Sequence, residues 1–171
     1  SVNAANPVII GSSILISASY QKGSTVLDLG KPGTDQSIPL TPKWADADIG
    51  FHWNTPVVEN GYAYGFSGRN VADLVCFQFS TGKVQWSESI GWTETYDYYG
   101  EKRERDLDLN RGSILAADGR HYIFGEYGHF AIMNLSPQAP QVLAHTWLFP
   151  ASETWTPPVI SRGLLYACQN S

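Results

Sequence analysis

Basic charge is scarce in this sequence: eleven Lys and Arg stand against sixteen Asp and Glu in 171 residues, a formal net charge of −5 with His neutral. No patch of Lys and Arg is available to neutralise a run of phosphates, which argues against a nucleic-acid partner. Charged residues make up 16% of the chain against about 25% in ordinary globular domains, while aromatics reach 13%. A disordered chain is thereby excluded, because there is enough apolar surface to offset the entropy of ordering it. Cysteine is nearly absent: Cys76 and Cys168 make neither a disulfide framework nor the clustered pairs of a metal site. Both read as small buried hydrophobes. Long apolar runs are missing too. The first 21 residues carry no charge, yet they include Asn3, Asn6, Ser12, Ser13, Ser17 and Ser19. Such a segment is neither a membrane helix, which needs about 20 mostly apolar residues, nor a signal peptide with its basic start. The sequence begins at Ser1, so any targeting signal is expected to have been removed or to lie upstream. Helical periodicity over ten or more residues is absent, and 16 Gly with 10 Pro leave an all-β chain as the expectation.

What the sequence does contain is a repeat. Asn-Pro-Val-Ile-Ile-Gly at 6–11, Thr-Pro-Val-Val-Glu-Asn-Gly at 55–61, Gly-Ser-Ile-Leu-Ala-Ala-Asp-Gly at 112–119 and Pro-Pro-Val-Ile-Ser-Arg-Gly at 157–163 share one pattern. Each is an apolar pair followed by a turn closing on Gly11, Gly61, Gly119 or Gly163. Asn60-Gly61 and Asp118-Gly119 are two-residue hairpin signals, because both turn positions need positive φ. An alternating strand follows each turn, over 14–19, 62–66, 121–125 and 164–168. A third strand is expected over 24–29, 73–79 and 130–135, and a fourth ends at Trp86, with counterparts near Trp44 and Trp147. Four short antiparallel strands every 45–50 residues or so are the signature of a propeller blade. The expected blades cover 6–44, 52–90, 111–150 and, incompletely, 155–171, with 91–110 as an inserted loop.

The segment Cys76-Phe-Gln-Phe-Ser-Thr-Gly-Lys-Val-Gln-Trp86 resembles the tryptophan-docking repeat of the quinoprotein-type (PQQ-like) β-propellers, written Ala-x-Asp-x-x-Thr-Gly-x-x-x-Trp. Thr81, Gly82 and Trp86 match, whereas Cys76 and Gln78 replace the Ala and Asp. Residues 111–128 and 155–166 resemble the same repeats. The resemblance implies an all-β propeller in which Trp44, Trp86 and Trp147 pack against neighbouring blades. Because three and a half repeats fall short of the four to eight blades of a closed ring, the chain is expected to be the C-terminal part of a longer protein, or a half-ring completed by a second copy.

For function the resemblance implies two classes. One is a non-catalytic, extracytoplasmic (periplasmic) scaffold that binds a protein partner or the remaining blades. The other is a quinoprotein dehydrogenase acting on alcohols or sugars, with PQQ stacked over Ca²⁺ and a carboxylate base. The adjacent cysteines and acidic metal ligands of such enzymes have no counterpart here. The scaffold reading is therefore preferred, with no catalytic residue, no metal and no cofactor expected in this segment. Candidate contacts are Trp53 and Trp155, which precede Thr55-Pro56 and Thr156-Pro157 and face either the channel or the next blade. Trp92, Tyr96, Tyr98 and Tyr99 in the insertion offer the amphipathic surface enriched at interfaces. The charges of the insertion (Glu101, Glu104, Asp106 and Asp108 among Lys102, Arg103 and Arg105) are expected to neutralise one another. His121 reads as a structural imidazole, and His52 as lining a channel mouth.

Overall fold

The computed structural model describes residues 4–169. A first four-stranded sheet comprises β1 (Val8–Ile10), β2 (Ser13–Ala18), β3 (Gly23–Leu29) and β4 (Leu40–Asp46). A second contains β5 (Val57–Glu59), β6 (Tyr62–Gly68), β7 (Ala72–Gln78) and β8 (Val84–Glu88). A two-stranded hairpin, β9 (Gly91–Tyr98) and β10 (Glu101–Asp108), separates it from the third sheet. That sheet holds β11 (Ser113–Ala117), β12 (Arg120–Phe124), β13 (His129–Leu135) and β14 (Pro140–Trp147). A last pair, β15 (Val159–Ser161) and β16 (Leu164–Tyr166), follows; positions 170 and 171 of the expected fourth unit lie outside the described residues. In every sheet the strands are ordered as in the chain and pair antiparallel. These are the blades of a β-propeller, and among the described residues no helix interrupts them.

Local sequence accounts for the hairpins. Asn60 and Gly61 adopt φ of 50° and 82°, and Asp118 and Gly119 adopt 51° and 69°, the positive pairs that the right-handed twist of the flanking strands requires. The strands expected after these turns fall within two residues of their predicted places. Burial explains the rest of the pattern. Along β7, Val75 and Phe77 face Leu15 and Val26 of blade 1, whereas Leu74 and Cys76 face Ile123, Ala131 and Met133 of blade 3. Successive side chains point to opposite faces, so a strand covered on both sides reads as the continuous apolar run Leu-Val-Cys-Phe. The core thus lies between neighbouring blades rather than inside any one of them.

Indole hydrogen bonds stitch two of these interfaces. The third and fourth strands of each blade share a register shift, after Val26, Cys76 and Ile132. Trp44 pairs with Val26 and donates Nε1–H to the Phe79 carbonyl of blade 2 at 2.9 Å. Trp86 pairs with Cys76 and donates to the Ser136 carbonyl of blade 3 at 2.8 Å. Gly82 sits beneath the Trp44 ring, where an added Cβ would come within 2.7 Å of it, and its φ of 75° is itself one that glycine favours.

Four expectations need correction. In blade 3 the position equivalent to Trp44 and Trp86 is Ala144, opposite Ile132. Trp147 lies three residues on, donates to Tyr127 O of its own blade at 2.8 Å and stacks on His129. Residues 91–110 are not a loop: they form an eight-pair ladder from Gly91↔Asp108 to Tyr98↔Glu101. Period-two alternation of Trp92, Glu94 and Tyr96 with Thr93, Thr95 and Asp97 gives that ladder one docking face and one solvent face. Cys76 is buried and burial pushes its thiol up to about 11, but Cys168 is exposed after β16. His52 is buried, its Nε2 hydrogen-bonded to the Tyr20 hydroxyl at 3.1 Å, so it lines no open channel mouth.

Candidate functional site

The hairpin β9–β10 is built in two halves. Its base is docked. Trp92 stacks on His145 of β14 (ring centroids 4.1 Å, 9° between planes) and lies against His129 of β13 at 5.3 Å. Two residues along the same face, Glu94 accepts a hydrogen bond from His129 Nε2 at 3.0 Å. Opposite Trp92, Leu107 is buried. On β10, Arg105 lies over the Tyr127 ring. Among the described residues β9 and β10 pair with each other and with no blade strand, so the hairpin meets blade 3 through these side chains and is tied at its root by the Glu126 N–H to the Leu109 carbonyl at 3.0 Å.

Its tip projects. Tyr99 and Gly100 form the turn with φ of 54° and 84°, and the Gly100 N–H donates to Asp97 Oδ1 at 2.9 Å. The second turn position has the expected glycine; the first has tyrosine where Asn, Asp or Gly is the low-strain choice. Tyr99 is 92% exposed. It stands edge-to-face with Tyr98 at 4.7 Å, and the Arg103 guanidinium covers the Tyr98 ring at 4.3 Å. Of the charges expected to neutralise one another, Arg103 and Glu101 meet at 3.6 Å; across the ladder Lys102 stands opposite Asp97 and Arg105 opposite Glu94. Tyr96 is half-buried on the docking face. A strained backbone that presents an aromatic ring to solvent, when a small residue would fold better, is where binding function is sought first.

The other predicted pair, Trp53 and Trp155, is brought together although the residues lie far apart in the chain. Their rings stack at 4.6 Å and 15°, with His52 against Trp53 at 4.3 Å. They border a cavity of about 420 Å³ shared with Asn6, Asn54, Thr55 and Ser113. Behind them lies a knot that the sequence did not announce. Glu126 is fully buried and accepts from Arg111 through Nε at 3.0 Å and through Nη2, from Asn110 Nδ2 and from Trp155 Nε1 at 3.2 Å. Asn110, at φ 44°, also caps Ala72 N–H of blade 2 at 2.9 Å. Thr154 hydrogen-bonds the carbonyls of Gly125 and Glu126. Nothing local in Gly125-Glu126-Tyr127-Gly128 marks the glutamate as a buried centre.

The donor set among the described residues does not suit the calcium and quinone that the dehydrogenase expectation requires. Among the described residues no group of three or more His, Cys, Asp and Glu converges on one point. The buried carboxylate of Glu126 already faces a guanidinium where a cation would have to sit. Trp53 and Trp155 cover each other, which leaves less indole surface for a flat ligand. The remaining predicted residues are structural in their contacts: Thr81 caps its own turn through Gln78, Gly82 supports Trp44, and Trp86 bridges blades 2 and 3. His121 is held by Glu59 at 3.1 Å and by Leu135 N–H, the contacts of a satisfied structural imidazole.

No family model matches the chain, and no curated protein matches it. Among solved structures it is similar to BamB from Moraxella catarrhalis, with a TM-score of 0.43 and 15% identity over 98% of this chain and 55% of that one. The chain therefore spans about half the length of that structure. Among the described residues no helix is long and apolar enough to cross a membrane.

Proposed function

We propose that this chain is a non-catalytic, extracytoplasmic scaffold propeller of the PQQ-like repeat type, and that the β9–β10 hairpin is its contact element for a protein partner. The observation that carries this reading is the tip, where Tyr99 is held exposed at positive φ beside Tyr98. The Trp44–Gly82 and Trp86–Ser136 contacts support the repeat type. The acidic balance of the chain agrees with a protein rather than a nucleic-acid partner.

The test exploits the strained turn. Tyr99→Gly removes the ring and relieves the left-handed strain, so stability is expected to stay level or rise by up to ~1 kcal/mol. Partner capture should fall sharply in the same variant. A photo-reactive phenylalanine derivative at position 99 should cross-link one protein from a periplasmic extract, whereas the same group at the exposed turn residue Gly119 should not. Equal cross-linking at both sites, or undiminished capture by Tyr99→Gly, overturns the assignment.

The dehydrogenase reading has a direct discriminator. Adding PQQ with Ca²⁺ is expected to leave the melting temperature and the cofactor absorbance unchanged. A saturable shift in either would favour the enzyme instead.

A further inference from the structure

Histidine 129 connects the hairpin to blade 3, and its surroundings make that connection sensitive to protons. The ring is completely buried, flanked by Trp147 at 5.9 Å and Trp92 at 5.3 Å. Its Nε2 lies 3.0 Å from the Glu94 carboxylate, which only accepts, so Nε2 carries the hydrogen and Nδ1 is the bare nitrogen of the neutral ring. Among the described residues Nδ1 is buried without a hydrogen-bond partner. A bare lone pair tolerates that position at modest cost. A second N–H does not, because a buried donor with no acceptor loses its hydration uncompensated.

We propose that His129 is a proton-operated latch for the β9–β10 hairpin: neutral, it holds Glu94 and the hairpin docks on blade 3; protonated, it lets the hairpin go. This rests on the reading of the hairpin as the contact element and adds its regulation. The groups that face His129 divide in their effect. Glu94 of β9 and, more distantly, Asp108 of β10 favour the imidazolium, while His145 of β14 disfavours it. Burial is the largest influence and outweighs the carboxylates, so the docked ring takes up a proton less readily than an ordinary histidine. The docked form then binds fewer protons than the released one. Docking is complete above the ordinary histidine value of 6.5 and weakens as pH falls below it. Release has a structural consequence, since a two-stranded hairpin detached from its support is marginally stable in water. The aromatic tip would then lose its fixed presentation.

Hydrogen exchange of the intact chain tests this without any partner. Protection factors of the β9–β10 amides, corrected for intrinsic exchange, should fall severalfold between pH 7.5 and 5.5 while those of β6 and β7 hold steady. Glu94→Gln removes the charge that favours the imidazolium and should deepen the response. His129→Gln, neutral at both pH values, should abolish it. His145→Gln removes a group that disfavours the imidazolium and should make the response shallower without abolishing it. Hairpin protection that is equal at the two pH values, or a response that survives in His129→Gln, overturns the latch. Should His129→Gln fail to fold, the Glu94→Gln comparison decides alone, and an unchanged response there rejects the proposal. A failure here leaves the cross-linking at position 99 free to succeed, so the two readings fall separately.

Discussion

Replacing Arg111 with alanine is expected to cost about 3–5 kcal/mol of stability. The reason is what remains behind. Glu126 is fully buried while the Arg111 side chain keeps 17% of its surface exposed, so removing the cation leaves a desolvated carboxylate to neutral donors such as Asn110 and Trp155. The loss also spreads. Asn110 restrains Ala72 of blade 2, and Trp155 leads into the β15–β16 pair, so the knot joins three consecutive units. Urea unfolding of the full chain reads the effect directly. The decisive comparison is the double variant Arg111→Met with Glu126→Met. An apolar pair of similar volume removes both charges at once and should recover most of the stability lost in the single variant. If the double variant is as unstable as the sum of the singles, the carboxylate is not the source of the cost.

The knot and the hairpin suggest how this arc divides its labour. Rigidity is concentrated where blades 2, 3 and the next unit meet, through Glu126 and the indole bonds. The hairpin leaves the chain beside that point, between Ile90 and Leu109, whose backbones are themselves paired at 2.8 Å. Its base is therefore fixed in direction, while everything beyond Trp92 and Glu94 depends on side-chain contacts with β13 and β14. A display element on a rigid mount needs this combination of a stiff root and a separable docking face.

The blades were legible because their causes are local. Positive-φ turn pairs such as Asn60-Gly61, and apolar alternation on either side of them, are written in consecutive residues. The hairpin is not legible as paired strands because residues 101–106 are charged without interruption, which leaves the period-two pattern of β9 without an apolar counterpart on its partner. Trp147 falls off the expected position because pairing in the β13–β14 ladder puts Ala144 at the equivalent place, and register is settled by pairing rather than by spacing. The Trp53–Trp155 stack, the His129–Glu94 contact and the Glu126 knot join residues far apart in the chain. Nothing in the neighbourhood of either partner announces such a meeting.

Trp86→Ala is expected to destabilise the chain by about 3–5 kcal/mol, and Trp86→Phe by about 1–2 kcal/mol. The indole is 9% exposed and belongs to the cluster that seals blade 2 against blade 3, with Tyr64, Cys76, Met133 and Leu135. Alanine removes that apolar contact and leaves a cavity between two sheets whose backbones are held by their own ladders and cannot collapse onto it. Phenylalanine keeps most of the packing and loses the bond from Nε1 to the Ser136 carbonyl. The gap between the two variants therefore separates packing from hydrogen bonding at this interface. Ala144 supplies the internal comparison. It occupies the corresponding register position in blade 3, is exposed, and carries no indole, so Ala144→Ser should shift the unfolding midpoint little. Were Trp86→Ala as mild as Ala144→Ser, the blade 2–blade 3 contact would not be held by this ring, and the seal would have to be credited to Phe66, Leu74 and Ile123 instead.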